Sequence, residues 1–310
     1  MRPLVVGRRL VSGALLAVCL SLALAGCGSE GPPRPDLVFV STRDGDYALF
    51  AMDADGSRET RLTPAPSSDE PRSLYFQIEP AWSPDGRWIA FASRRGASFD
   101  LYAMRADGTG TRRLTATREN DGHPAWSPDG SQIVFQRGDP PRLFLMDADG
   151  SRQRRLTNDL ASEAQPAWSP DGAWIAYVRR TPGTEIRELW LMRPNGSARR
   201  RLTRLGAVVD GPAWSPDGRT IAFASNVRAS RFDVYVVGVD GRGLRRLTTA
   251  TEAAFEPAWS PDGRLLAFSQ DGAIAVRPLL GGETRRLTDP DDNDSSPVWN
   301  PVPPPAEEDG

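Results

Sequence analysis

Short apolar runs separated by turn residues fill the chain from residue 37 onward, and the same order of runs returns in steps of 42 to 46 residues. Within one repeat the runs are three or four residues long, as at 89–91 (IAF) and 101–104 (LYAM). Gly, Pro, Asp or Asn follow each run and favour turns. Such runs predict β-strands, and a repeat of this length predicts one propeller blade per repeat.

One hexapeptide, AWSPDG, occurs five times without change, at 81–86, 125–130, 167–172, 213–218 and 258–263, and a shorter form, VWNP, follows at 298–301. Pro presets its φ, Asp accepts from nearby amides and Gly takes positive φ, so the motif predicts a turn. Its tryptophans are predicted to fill space between blades, because large aromatic side chains dominate core energetics. They are Trp82, Trp126, Trp168, Trp214, Trp259 and Trp299.

The two ends of the repeat array predict how the ring closes. Residues 37–63 supply two apolar runs and a terminal RLT, but no AWSPDG strand comes before them. Residues 297–299 supply such a strand with nothing after it. We therefore predict an all-β, six-bladed propeller with four-stranded blades, closed by the C-terminal strand joining the N-terminal blade, which leaves only short protected edges.

The first 26 residues have a different composition from the repeats. Three arginines precede an apolar stretch at 10–24, which is short for a membrane span but has the length of a signal-peptide core. It ends in a tetrapeptide that resembles a bacterial lipobox, Leu24, Ala25, Gly26 and Cys27. The resemblance implies cleavage before Cys27 and a diacylglycerol on its sulfur. A secretory signal or N-terminal anchor with a chance cysteine is the alternative.

Four segments follow from this reading: a lipoprotein signal peptide at 1–26, lipidated Cys27 with a flexible tether through residue 36, the propeller at 37–300, and a Pro-rich acidic tail at 301–310. More than one acyl chain would be needed for a stable anchor.

The amino-acid composition excludes several kinds of binding and catalytic site. The 38 basic residues, all arginine, are balanced by 40 acidic ones without a basic block, so we expect no nucleic-acid binding. The single histidine, His123, excludes a multi-histidine metal centre and leaves any Ser/His/Asp apparatus dependent on one side chain. Two cysteines make no disulfide framework. We predict no catalytic residue, no metal and no cofactor.

Two acidic patterns have the ligand type of a calcium site. MDADGS occurs at 52–57 and 146–151, but Arg follows where a calcium loop needs an acid, so a hairpin turn is favoured. The run DPDDNDSS at 289–296 has no defined ligand spacing and is predicted to be a solvated loop, with a calcium site as the alternative.

The innermost strands of a propeller line its channel, so polar residues ahead of each Pro-Ala-Trp are predicted at one mouth. They are Glu79, His123, Gln165, Asp210, Glu256 and Ser296, with Asp121, Glu163 and Asp294 close by. We predict that this mouth binds a cationic or hydrogen-bonding ligand, such as a basic peptide segment. The alternative is a polar, water-filled opening.

The longest connection, 64–79, carries Tyr75 and Phe76, which are either exposed partner anchors or packed against a blade rim.

Taken together, PAWSPDG, IAF, LYAM, DG and RRLT resemble the TolB-type β-propeller repeat over residues 37–300. The resemblance implies the propeller fold, but the repeat also occurs in periplasmic scaffolds, peptidases and lyases. Family members that engage TolA do so through an α/β domain ahead of the propeller, for which we find no residues here. The hydrolase domain and GxSxG elbow of the related peptidases, and the clustered histidines of the lyases, have no match either.

We therefore expect an exported, monomeric lipoprotein on the outer face of the bacterial cell membrane or on the periplasmic side of an outer membrane. It would act as a non-enzymatic, protein-binding scaffold for another envelope protein, Pal-like or another lipoprotein. The alternative is a carbohydrate- or peptide-processing enzyme or a ligand sensor with its site at the channel mouth. Replacement of His123 separates the two.

Overall fold

The computed structural model describes residues 35–65, 76–158, 161–228, 230–249 and 252–302. These residues form six four-stranded antiparallel sheets arranged as the blades of a propeller, which confirms the predicted all-β fold. Tyr75, the lipobox residues through Cys27 and the tail beyond 302 lie outside the described residues. Within those five ranges, no helix has the length and apolar character needed to cross a bilayer.

The strands follow the chain blade by blade. The first three blades contain β1 (Leu37–Ser41), β2 (Ala48–Met52) and β3 (Thr60–Arg61); β4 (Phe76–Trp82), β5 (Trp88–Arg94), β6 (Phe99–Arg105) and β7 (Arg112–Arg113); and β8 (Asp121–Trp126), β9 (Gln132–Arg137), β10 (Arg142–Asp147) and β11 (Arg154–Arg155). The other three contain β12 (Glu163–Trp168), β13 (Ile175–Arg180), β14 (Arg187–Met192) and β15 (Arg200–Arg201); β16 (Val209–Trp214), β17 (Thr220–Ser225), β18 (Asp233–Gly238) and β19 (Arg245–Arg246); and β20 (Ala254–Trp259), β21 (Leu265–Gln270), β22 (Ala273–Pro278) and β23 (Arg285–Arg286). A short 3-10 helix, Pro290–Asp292, precedes the last strand, β24 (Ser295–Trp299).

The last strand closes the ring as predicted. β24 is the innermost strand of the first blade, whose order is β24-β1-β2-β3, and Trp299 is paired with Leu37 across it. The first blade is therefore held together by residues from both ends of the propeller.

The two middle strands of each blade are buried because a neighbouring blade packs on each face. One core cluster joins the first two blades through Val38, Leu49, Ile89, Phe91 and Met104. Burial on both faces explains why these strands are apolar at nearly every position instead of alternating. Each large side chain so buried contributes about 1.5–3 kcal/mol to folding.

The RLT motif compensates for very short outer strands, which have two residues each. In every blade the threonine Oγ1 accepts a hydrogen bond of 2.9–3.1 Å from a backbone amide of the third strand. These threonines are Thr63, Thr115, Thr157, Thr203, Thr248 and Thr288. The side chain thus satisfies a buried amide that the short outer strand leaves without a backbone partner.

The serine of the repeated hexapeptide holds the turn after each innermost strand. In all five copies its Oγ donates to the turn aspartate at 2.5–2.6 Å. The same oxygen accepts a 2.9 Å hydrogen bond from the amide five residues later. The predicted turn is therefore stabilised from both sides of Pro-Asp-Gly.

The glycine of the hairpin between third and fourth strands sets how closely neighbouring blades approach. In five blades it has φ between 82° and 92°, and a Cβ there would lie 2.4–3.0 Å from the carbonyl oxygen of the RLT leucine in the preceding blade. These glycines are Gly56, Gly108, Gly150, Gly196 and Gly241. In both MDADGS hairpins the second aspartate accepts from the serine amide at 2.8 Å, which is a turn contact. The persistence of Asp-Gly is thus explained by turn geometry and blade spacing.

We predict that Gly108→Ala destabilises the propeller more than Gly183→Ala. Both glycines have a similar positive φ, +82° and +75°, but a Cβ at 108 would lie 2.4 Å from the Leu62 carbonyl oxygen, whereas nothing lies within 4 Å of one at 183. Gly183→Ala should cost about 1–2 kcal/mol for the left-handed backbone alone. Gly108→Ala should cost about 1–3 kcal/mol more, because the blades must separate. Denaturant unfolding measures both, and equal losses would contradict the role in blade spacing.

Candidate functional site

The central channel is a cavity of about 570 Å³ lined by the innermost strands of all six blades. Each strand contributes its Pro-Ala-Trp or Pro-Val-Trp segment and the proline that follows, which gives a repetitive, largely apolar wall. The residue ahead of each segment varies between blades and stands at one end. We call these six residues the mouth ring: Glu79, His123, Gln165, Gly211, Glu256 and Ser296.

Every mouth-ring residue has a left-handed backbone. Their φ angles lie between 46° and 58°, and each strand shows a register shift at this point, as between Ile78 and Ala81. A bulge of this kind redirects a side chain, and a non-glycine residue in it costs about 1–3 kcal/mol. Five non-glycine residues carry this strain at equivalent positions around one opening.

The mouth ring is built from three hydrogen-bonded pairs, each joining neighbouring blades. In each pair a side-chain oxygen accepts from the backbone amide of the ring residue in the next blade. The pairs are Glu79 with His123 (2.6 Å), Gln165 with Gly211 (3.1 Å) and Glu256 with Ser296 (2.7 Å). Around the ring, residues whose long side chains accept a hydrogen bond therefore alternate with residues whose backbone amides donate it.

One pair also carries opposite charges. His123 Nε2 lies 2.9 Å from Glu79 Oε1, and the two side chains are 29% and 21% exposed. Burial disfavours the charged form of both groups, but their attraction to each other has the larger effect on both pKa values. Asp210 and Glu256 also favour the charged form of the histidine. The pKa of His123 is accordingly raised above 6.5, and that of Glu79 is lowered below 4.5.

Asp210 and Asp294, which the sequence places at the mouth, do not line the cavity. Gly211 takes the ring position of its blade, and Asp210 lies one residue earlier, where burial raises its pKa and Arg187 stands 4.0 Å away. Asp294 has a fully buried side chain that binds Arg43 at 2.9 Å.

The bulge is the reason why Asp294, and the two acids at the equivalent position in other blades, do not line the cavity. In a regular strand, residues two apart face the same side, so acids two positions before the ring would point into the channel. The extra residue breaks that alternation. Asp121 is therefore buried against Arg137 at 2.6 Å, and Glu163 is buried with Arg199 and Arg179 at 3.7 and 3.9 Å.

The repeated tryptophans line the channel and also join blades. The indole Nε1 of Trp126, Trp214 and Trp259 donates to an alanine carbonyl of the preceding blade at 3.1–3.2 Å. All six tryptophans contribute to the cavity wall.

Outside the channel, Phe76 stacks on Tyr47 at the contact of the first two blades, with ring centroids 4.8 Å apart. The acidic run before β24 is partly neutralised by Arg43, which contacts Asp292 as well as Asp294. In the part of the chain that the structure describes, no three His, Cys, Asp or Glu side chains are grouped so that they could hold a metal ion.

We predict a pH window for the stabilising effect of the charged pair. The lowered pKa of Glu79 makes its contribution present above pH 4.5, and the raised pKa of His123 keeps its contribution complete below pH 6.5 and removes it as pH rises through the raised value. His123→Gln should therefore reduce the unfolding free energy most between pH 4.5 and 6.5. Glu185→Gln, which removes the exposed partner of Arg180, should show no such window. A His123→Gln loss that does not change with pH would contradict the pairing.

Comparison with known proteins shows which family the chain matches. The family model described as TolB beta propeller domain matches residues 71–188 and 184–303. An uncharacterised protein of Agrobacterium fabrum is 32% identical over 104 residues, which are 34% of this chain and 33% of that protein. A Tol-Pal system protein TolB of Desulfosudis oleivorans is 35% identical over 75 residues, which are 24% of this chain and 15% of that protein.

The chain thus spans a third or less of the length of these curated relatives. Among solved structures, TolB from Acinetobacter baumannii superposes with a TM-score of 0.72 at 22% identity, covering 86% of this chain and 67% of that one. At that identity the likeness shows the fold alone. The family model, in contrast, matches most of the chain, and the chain therefore belongs to the TolB beta propeller domain family.

Proposed function

We propose that this chain is a lipid-anchored, non-enzymatic scaffold of the bacterial cell envelope whose mouth ring binds a segment of a partner protein. The observation that carries the proposal is the mouth ring itself. Its six equivalent positions hold unequal side chains around an open cavity, while the wall behind them is repetitive. The hydrogen-bonded pairs need only an accepting oxygen in alternate blades and leave the charge of each ring residue open, and the unequal charges around the opening support a binding role.

The chemistry of the cavity indicates what the segment must offer. Glu79 and Glu256 line the cavity with one histidine, and Asp210, which lies outside the cavity lining, adds to the negative field on that histidine, so acidic groups are in excess. Proline, alanine and tryptophan form the wall, and the volume of about 570 Å³ lies within the usual range of ligand pockets, about 300–1,000 Å³. The fitting ligand is an arginine or lysine side chain flanked by apolar residues.

The envelope location rests on the chain's own N-terminus. A signal-peptide pattern ends in the lipobox residues, and Cys27 is the residue we propose to be lipidated. A relative named for the Tol-Pal system supports the same compartment and a Pal-like or other envelope lipoprotein as the partner. This partner is proposed for the propeller alone, because the match covers a small part of that relative.

The binding test uses the acylated chain and the Pal-type lipoprotein encoded by the same genome, with crosslinking and pull-down. Glu79→Gln and Glu256→Gln keep the oxygen that accepts the neighbouring amide but remove the charge. Each should weaken capture about ten- to a hundred-fold, because a hydrogen bond to a charged group is worth about 1.5–3 kcal/mol. Glu185→Gln removes one exposed acid outside the cavity and should bind like the wild type. Equal capture by all four proteins would overturn the assignment of the mouth ring.

A second candidate function, carbohydrate or peptide processing, has one observation in its favour. The Glu79 carboxylate contacts His123 at the cavity wall, an arrangement that could orient a general acid or base. Under the scaffold proposal, neither wild type nor His123→Gln turns over oligosaccharides or peptides. Turnover by the wild type that His123→Gln abolishes would replace the scaffold with an enzyme.

A further inference from the structure

The hairpin of the sixth blade differs from its five counterparts at its tip. The position before the hairpin glycine holds an acid or amide in the other blades: Asp55, Asp107, Asp149, Asn195 and Asp240. In the sixth blade it is Leu280, whose side chain is fully exposed at 103%. A large apolar side chain has replaced a turn-forming polar one at a point where it contacts no core.

This hairpin also lacks the contacts that hold the others to the preceding blade. Gly281 has nothing within 4 Å of a Cβ position, whereas the equivalent glycines lie against a leucine carbonyl. The first arginine of most outer strands donates to the next blade's hairpin carbonyls at 2.8–3.5 Å, as Arg112, Arg154, Arg200 and Arg285 do. Among the described residues, Arg245 makes no such bond to the hairpin at 279–282.

A second exposed leucine and several arginines lie on the neighbouring elements. Leu244, just before β19, is 41% exposed. The amide of Leu279 is bonded to the Arg264 carbonyl at 2.9 Å, which brings the 85% exposed Arg264 side chain next to the hairpin. Other arginines here are Arg242, Arg245 and Arg277, and the acids are Asp240, Asp262 and Glu283. The surface is therefore apolar at its tip and close to neutral around it.

The first residues that the structure describes before β1 lie on this same face. Asp36, the residue before β1, accepts from the amide of Ala54 in the first blade's hairpin at 2.9 Å. Arg285, which follows the sixth hairpin, donates to the carbonyls of Ala54 and Asp55 in that same first hairpin. Leu280 and Asp36 thus belong to adjacent blades and to one face.

We propose that the hairpin at 279–282, together with Leu244, is a membrane-contact surface that rests on the bilayer to which Cys27 is anchored. The inference depends on the proposed lipid anchor. Seven residues separate Cys27 from Pro35, and the eight steps between the two reach at most about 28 Å when fully extended, so this face cannot move far from the lipid. Leu280 enters the interface, and the arginines extend along it with their charged ends in water.

The test places an environment-sensitive NBD label at position 280 of the acylated full chain, as Leu280→Cys, and at the equivalent hairpin tip of the second blade, as Asp107→Cys. Both positions are on exposed hairpin tips, so neither substitution removes a buried core side chain. The chain is reconstituted on vesicles of phosphatidylethanolamine and phosphatidylglycerol (about 7:3). We expect the 280 label to shift to shorter wavelength and to lose iodide quenching several-fold, while the 107 label stays accessible.

The outcomes separate this inference from the proposed function. A chain that stays on the vesicles with both labels equally accessible would overturn the membrane contact and leave the anchor standing. A chain that does not associate with vesicles would show that the lipid anchor fails, and the inference with it. Protection of the 280 label only after a purified envelope protein is added would overturn the lipid assignment in favour of a protein interface.

Discussion

The packing of one blade against the next is the constraint from which the other features follow. A blade of four short strands has two apolar faces, and both are buried only when a blade stands on each side. The repeated motifs serve this contact. Hairpin glycines let a leucine carbonyl approach, indoles donate to alanine carbonyls of the neighbouring blade, and outer-strand arginines reach the next hairpin. The same motifs therefore recur in each repeat because every blade must pack at the same distance from the next.

The functional candidate arises where that repetition is relaxed. Six innermost strands converge on one axis, and each bends through a left-handed bulge as it enters the channel. In five blades the bulge turns the ring side chain toward the opening, and in three blades the ring amide donates to the ring side chain of the preceding blade. Because these contacts need only an oxygen in alternate blades, the remaining positions are free to differ. The residues that differ between blades are thereby grouped at one opening of a rigid propeller.

The fold could be predicted from the sequence because every repeat has the pattern of the same four-stranded blade. The six blades, the closing strand and the turns at Ser-Pro-Asp-Gly follow from spacing and local chemistry alone. The mouth was accessible in part: Glu79, His123, Gln165 and Glu256 line the cavity together, whereas Asp294 and Asp210 do not. The apolar-polar pattern of a strand does not show where a bulge lies. The sequence therefore did not show which of the acids near the ring face the channel and which face away from it. Strict alignment of the repeats on their Pro-Ala-Trp would have selected Gly211 in place of Asp210.

The pairing of β24 with β1 also determines when the propeller can be completed. A polypeptide leaves the ribosome with its N-terminus first, so Leu37 emerges long before its partner Trp299. Until then the first blade lacks its inner strand and presents an unpaired edge, which is a hazard for aggregation. Contacts across so long a stretch of sequence also form slowly. The ring can therefore close only after β24 has been synthesised.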